Sequence, residues 1–73
     1  MRKFEVLLDG KMIGYLLFDA NAAEITAIST FVPIEYRGLG VAKTLVEMFA
    51  AYAKINNLQM KATCSYVKKN LNL

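Results

Sequence analysis

The sequence predicts an α+β fold with the element order β-β-β-α-β-α, in which a central helix joins antiparallel hairpin strands to a parallel strand pair. Three observations predict this fold. The turn signal Asp9-Gly10 lies between two β-favouring stretches. The spacing of apolar residues changes to a helical period from Val41 onwards. A further short strand follows the helix, and strands joined by such a crossover run parallel in one sheet.

Three strands precede the helix. The stretches 4–8 and 12–18 flank the Asp9-Gly10 turn, and we expect them to pair with each other. Gly14 interrupts the second of these strands, which indicates a bulge or a close approach to the backbone. After a turn at residues 19–23, the stretch 24–32 contains enough β-branched residues to predict a third strand.

One amphipathic helix follows the third strand. Its apolar stripe is formed by residues at helical spacing, namely Val41, Leu45, Val46, Met48, Phe49, Tyr52, Ala53 and Ile55. We expect Lys43, Glu47 and Lys54 to lie on the opposite, solvated face. Asn56-Asn57 ends the helix.

Two short elements complete the predicted fold. The stretch 58–63 is a strand, and a last helix runs from Tyr66 to about Leu71 with Ser65 as its N-cap. The strand 58–63 is expected to run parallel to the third strand, because the amphipathic helix connects the two.

Length and composition favour one folded unit. The chain has 73 residues, of which 56% are hydrophobic and 21% are charged, so we expect residues 1–73 to form a single minimal domain. The apolar runs are far shorter than the ~20 residues that span a bilayer. The apolar stretch after the N-terminal basic pair is too short for a signal peptide. We therefore expect a cytoplasmic protein without membrane contact, and the apolar excess leaves a homodimer open.

Two absences exclude classes of chemistry. The chain has no histidine, which excludes Ser-His-Asp hydrolysis, Cys-His proteolysis and histidine-ligated metal sites. It has one cysteine, Cys64, so neither an internal disulfide nor a zinc cluster can form. We therefore expect a function without a bound metal.

Charge is distributed unevenly along the chain. Residues 1–36 carry three basic and five acidic side chains, whereas residues 37–73 carry six basic side chains and one acidic. The second half therefore favours an anionic partner, such as a phosphate-bearing cofactor, nucleic acid or an acidic surface. Because the basic residues are scattered singly and only two of the nine are arginines, we expect no nucleic-acid partner.

The most informative stretch, residues 32–45, lies between the third strand and the helix. A helix start leaves backbone N–H groups unpaired at the positive end of the helix dipole, where an anion is stabilised. Gly38 and Gly40 remove the side chains that would keep a phosphate away from those amides. Leu39 and Val41 offer no polar group, so the amides themselves would bind. For the two glycines alone, an ordinary strand-to-helix turn remains the alternative.

The wider motif resembles a known signature. Val32-Pro33, followed by Arg37-Gly38-Leu39-Gly40-Val41-Ala42, resembles the acetyl-CoA-binding signature of GNAT-type acetyltransferases, an Arg or Gln followed by x-x-Gly-x-Gly/Ala between strand and helix. Arg37, Gly40 and Ala42 occupy the signature positions. The short chain, with Cys64-Ser65-Tyr66 after the next strand, is similar to the small, single-domain, cysteine-bearing subgroup of N-acetyltransferase-like proteins.

This resemblance, which covers roughly residues 24–69, implies a minimal GNAT-like fold and acetyl-CoA (CoA) as the cofactor. It implies that the pyrophosphate lies on the amides of residues 38–43. The pantetheine arm would run near Phe31 and Val32, with the acyl group close to Cys64. The implied activity is acyl-CoA-dependent N-acyl transfer to an acceptor that the sequence does not identify. The alternative is a CoA-binding module, or degenerate relative, without turnover.

The chain departs from this subgroup at several positions. The subgroup commonly has a histidine and an acidic residue on either side of a shared threonine, whereas here Ser29 and Phe31 flank Thr30. Many larger relatives have a tyrosine that protonates the departing thiolate, and Leu71 stands in its place. The sequence therefore supports cofactor binding more strongly than turnover.

Cys64 and two other side chains each allow two interpretations. A cysteine at a strand end is commonly a small buried apolar residue. Cys64 also precedes a helix start and lies near Lys61, Lys68 and Lys69, features that stabilise a thiolate able to accept an acyl group. Tyr66 is a candidate proton donor or an aromatic cover for the core. Lys43 either approaches phosphate or belongs to the solvated helix face.

Overall fold

The computed structural model describes residues 1–73 and contains one mixed, four-stranded sheet with the strand order β1-β2-β3-β4. The elements, in chain order, are β1 (Arg2–Leu8), β2 (Lys11–Ala20), β3 (Glu24–Phe31), a 3₁₀ turn (Ile34–Tyr36), α1 (Val41–Ile55), β4 (Gln59–Ala62) and α2 (Ser65–Leu71). β1, β2 and β3 are antiparallel, and β3 and β4 are parallel. The predicted fold class and element order are confirmed.

The β1–β2 hairpin forms at the predicted turn. Asp9 and Gly10 both have positive φ angles, 51° and 79°, which matches the backbone twist of the flanking strands. The register then shifts, because Val6 pairs with Gly14 while Leu7 pairs with Met12. This two-against-one pairing is a β-bulge, so the irregularity predicted at Gly14 is confirmed.

The core lies between α1 and one face of the sheet. Leu45 and Phe49 of α1 are fully buried against Leu16 and other apolar strand residues. Ile55 was predicted in the same stripe, but it is 81% exposed, and this assignment is wrong. It follows Ala53 by two residues, about 200° around the helix, and therefore points away from the sheet.

α2 begins one residue earlier than predicted. Cys64 is its N-cap and Ser65 its first helical residue, so the assignment of Ser65 as the cap is wrong. The amides of Thr63 and Cys64 both donate to the carbonyl of Ala27, at 2.9 and 3.3 Å, which ends the strand there. The carbonyl of Cys64 then accepts the first helical hydrogen bond, from Lys68 at 3.0 Å.

The turn between β2 and β3 is shorter than predicted. β2 continues through Ala20, which pairs with Ile25, so only residues 21–23 connect the two strands. The side chain of Asn21 accepts hydrogen bonds from the amides of Ala23 and Glu24, both at 2.8 Å. This side chain supplies the acceptor that closes a tight turn.

β3 and β4 are paired at one end only. Their register runs from Glu24 opposite Gln59 to Ala27 opposite Ala62. Beyond Ala27, β3 continues along β2 to Phe31, whereas the chain after β4 turns into α2. The strands therefore part, and a cleft opens between the end of β3 and the two helices. Neither helix is long and apolar enough to cross a membrane.

Candidate active site

The cleft contains a cavity of about 330 Å³. The residues lining it come from the end of β3, the following loop and both helices, namely Val32, Tyr36, Arg37, Gly38, Gly40, Val41, Ala42, Lys43 and Tyr66. Seven of the nine predicted cofactor-binding residues are among them. Phe31 and Leu39 are not; they are 42% and 69% exposed at the surface. Cys64 does not line the cavity either.

A row of unpaired backbone donors lies beside the cavity, and all of its residues except Leu39 line it. The amide of Arg37 donates to the carbonyl of Ile34, and the amide of Thr44 donates to the carbonyl of Gly40. Between them, the six consecutive amides of residues 38–43 have no hydrogen-bond acceptor within the protein. Such donors at the start of a helix favour an anion with several oxygen atoms.

Two glycines shape the backbone beside these donors. Gly38 and Gly40 have φ angles of 84° and 81°, a left-handed conformation that disfavours side chains. A Cβ atom built at either position would meet nothing within 4 Å. Gly40 is the N-cap of α1 and offers no side-chain acceptor, so the helix start keeps its donors free.

The charged side chains of the cavity wall are both basic. The Nε of Arg37 donates to the carbonyl of Val32 at 3.0 Å, so this side chain closes the loop that follows β3. Sequence reasoning did not predict this structural contact. Lys43 is exposed and makes no ion pair within the protein. The wall is therefore electropositive, in agreement with the charge of its backbone donors.

Cys64 lies beside the cleft and contacts β3. It is half-buried, and its Sγ lies 3.5 Å from Oγ1 of Thr30. Burial raises the pKa of the Cys64 thiol, but hydrogen bonds with the backbone of Val67, the Thr30 hydroxyl and the backbone of Tyr66 and Thr30 outweigh it. The pKa consequently lies below its ordinary value.

The cause of this lowered pKa agrees with the prediction in part. The backbone of Tyr66 and Val67 belongs to the helix start that follows Cys64, but none of the three neighbouring lysines contributes. Lys61 instead forms an ion pair with Glu24 at 2.6 Å. Thr30 is the residue that sequence reasoning missed as a partner of the thiol. No local sequence signal indicates this contact, because Ala27 opposite Ala62 is the last pair of the two strands, and both Thr30 and Cys64 lie beyond it.

One protein family and several solved structures are similar to this chain. The profile of the family described as GCN5-related N-acetyl-transferase matches residues 3–72. No curated protein sequence matches the chain significantly. Solved structures do resemble it.

One is the ribosomal-protein-alanine N-acetyltransferase from Brucella melitensis biovar Abortus 2308, with a TM-score of 0.76, 19% identity, and coverage of 85% of this chain and 48% of that chain. Another is an integron cassette protein from the mobile metagenome of V. cholerae, with a TM-score of 0.71, 17% identity, and coverage of 96% and 48%. The chain thus spans about half the length of these two proteins, and the likeness shows a shared fold.

Proposed function

Because the chain belongs to the GCN5-related N-acetyl-transferase family, we propose that it is an acetyl-CoA-dependent N-acyltransferase whose cofactor lies in the cleft at the start of α1. The observation that carries this proposal is the row of six unpaired amides at residues 38–43. A diphosphate has enough oxygen atoms to accept from several of them at once, and its charge is opposite to that of the helix start.

The residues around this row fit such a ligand. Gly38 and Gly40 leave the approach to the amides open. Lys43 adds a positive charge that no acidic side chain of the protein neutralises. Val32 and Tyr66 line the cavity where the pantetheine arm and the thioester would lie. Phe31 and Leu39, whose side chains are partly exposed, would cover the arm from outside.

The proposed chemistry uses Cys64 as the nucleophile. Its thiolate attacks the carbonyl carbon of the acetyl thioester, so a C–S bond to Cys64 forms while the C–S bond to CoA breaks. The departing CoA thiolate takes a proton, for which Tyr66 is the candidate donor. A neutral acceptor amine then attacks the acetylated Cys64, so the amide bond forms while the C–S bond to Cys64 breaks. The proton that the amine loses returns to Tyr66, and Cys64 leaves as the thiolate. The lowered pKa of Cys64 supports this role.

A pair of matched glycine substitutions tests the binding site. Gly40 and Gly10 have φ angles of 81° and 79°, and a Cβ atom at either meets nothing within 4 Å. Gly40→Ala and Gly10→Ala therefore introduce the same backbone strain, roughly 1–2 kcal/mol each. Only Gly40 lines the cavity. By calorimetry, Gly40→Ala should weaken CoA binding at least about tenfold, whereas Gly10→Ala should bind CoA as the wild type does. Equal affinities of the two variants would place the ligand elsewhere.

Mass spectrometry tests the chemistry separately. After mixing with acetyl-CoA, the wild-type protein should carry one acetyl group that hydroxylamine removes and that Cys64→Ala lacks. Full transfer by Cys64→Ala would make the cysteine structural and the transfer direct. Tight CoA binding without adduct or transfer would instead identify a CoA-binding module. An adduct that resists hydroxylamine would indicate non-specific lysine acetylation.

A further inference from the structure

Gly14 of β2 lies directly beneath the start of α1. A Cβ atom built there would lie 2.6 Å from Cγ1 of Val41, 3.3 Å from the carbonyl oxygen of Phe31 and 3.4 Å from Cδ1 of Leu45. Carbon atoms in contact are normally about 3.5–4.0 Å apart. Any other residue at this position would therefore push against the helix.

Space, and not backbone conformation, is the reason for a glycine at this position. The φ angle of Gly14 is outside the positive range that the other three glycines adopt. Alanine could therefore adopt the backbone conformation of Gly14, but its Cβ atom would clash with the neighbouring residues. The closest neighbour, Val41, is 7% exposed and β-branched, so it has one strongly preferred rotamer in a helix. Turning it aside would force a disfavoured rotamer, so we expect the start of α1 to move.

The two closest neighbours of Gly14 belong to opposite walls of the cleft. Val41 is the first residue of α1, and its amide is one of the six unpaired donors. Phe31 is the last residue of β3. We propose that Gly14 is a positioning residue: the absence of its side chain sets the distance between the end of β3 and the start of α1 to the width that the diphosphate requires. This inference rests on the proposed function and adds a residue that does not itself line the cavity.

The experiment combines Gly14→Ala with Val41→Ala, which removes the methyl group that Gly14→Ala would strike. By calorimetry, Gly14→Ala should weaken CoA binding at least about fivefold, and Gly14→Ala/Val41→Ala should regain most of that loss. In the unliganded protein, Gly14→Ala should shift the amide NMR signals of residues 41–43. Ile25→Val removes a methylene from a fully buried side chain at the far end of β3 and is the control for lost stability alone. It should leave CoA affinity unchanged.

Several results would overturn the inference. A folded Gly14→Ala variant with wild-type CoA affinity and unshifted signals at residues 41–43 would do so. So would an equal loss of affinity in Ile25→Val. If Gly14→Ala does not fold, Val41→Ala is compared with Gly14→Ala/Val41→Ala; the inference requires affinities within about twofold, and a larger difference contradicts it. Failure of the wild type to bind CoA would refute the proposed function, while the NMR signals would still decide whether Gly14 sets the position of α1.

Discussion

The two helices of this protein begin in different ways. α1 begins at Gly40, in a left-handed conformation, and leaves six consecutive amides unpaired in an open cleft. α2 begins at Cys64, in an extended conformation, and the amide of Cys64 donates to Ala27 on the neighbouring strand. The backbone of Tyr66 and Val67 at the start of α2 also lowers the pKa of the Cys64 thiol. The first helix start therefore leaves its donors free for the anion that we propose, whereas the second favours the thiolate form of a side chain of its own.

A charge reversal at the start of α1 should have the largest effect. Lys43→Glu places a carboxylate beside the unpaired amides, where it repels phosphate and competes for the donors. We expect a loss of CoA affinity of about tenfold, which weakens as salt is added. Lys54→Glu, on the exposed face of the last turn of α1, makes the same charge change away from the cavity. Equal losses in the two variants would show that net charge, and not the cleft, attracts CoA.

The loop that leads into α1 provides the next test. Arg37→Ala and Arg37→Lys both remove the Nε donor to Val32 and should each lower the free energy of unfolding by about 1 kcal/mol. Only Arg37→Ala also removes the positive charge from the cavity wall. Chemical denaturation should therefore give similar stabilities, while calorimetry should show weaker CoA binding by Arg37→Ala than by Arg37→Lys. If Arg37→Lys keeps wild-type stability, the contact with Val32 does not hold the loop.

The start of α2 can be tested through the reactivity of Cys64. Thr30→Val removes the hydroxyl at 3.5 Å from Sγ and should raise the pKa of Cys64. The pH midpoint of its alkylation by iodoacetamide should therefore rise. Thr26→Val, at the end of β3 that is paired with β4, is the control and should leave the midpoint unchanged. A midpoint that is insensitive to Thr30→Val would show that the backbone alone stabilises the thiolate.

The smallest expected effect is a pH dependence of the free energy of unfolding. Because folding lowers the pKa of Cys64, the thiolate stabilises the folded state at pH values above the unfolded pKa. This contribution disappears as the pH falls through the folded pKa. Under reducing conditions, the difference in unfolding free energy between the wild type and Cys64→Ala should therefore increase with pH across this window. A constant or decreasing difference would contradict the lowered pKa.

The sequence predicts the fold better than the site. Asp9-Gly10 and the change of period at Val41 are local signals, so they could predict the hairpin and the crossover. Periodicity does not show where a helix leaves the sheet, which is why Ile55 was misassigned. The contact of Thr30 with Cys64 depends on strand register, which the sequence does not specify for a four-residue strand such as β4.

The roles of the glycines also differ in how far the sequence predicts them. The place of Gly38 and Gly40 in the cavity wall could be predicted because they lie within one loop, next to the unpaired donors. Gly14 could be predicted only as an irregular position, since its contact, Val41, is distant in sequence. Local motifs thus predict a binding loop, and the spacing around it depends on tertiary packing.

The claim that the unpaired amides of residues 38–43 bind the diphosphate is tested most directly by an NMR titration of ¹⁵N-labelled protein with CoA. We predict that the amide signals of residues 38–43 shift most, and that pantetheine, which lacks the diphosphate, leaves them nearly unmoved. The amide of Gly10, which has a matching φ angle outside the cavity, should not respond to either ligand. Saturable CoA binding that leaves the signals of residues 38–43 in place would contradict the account.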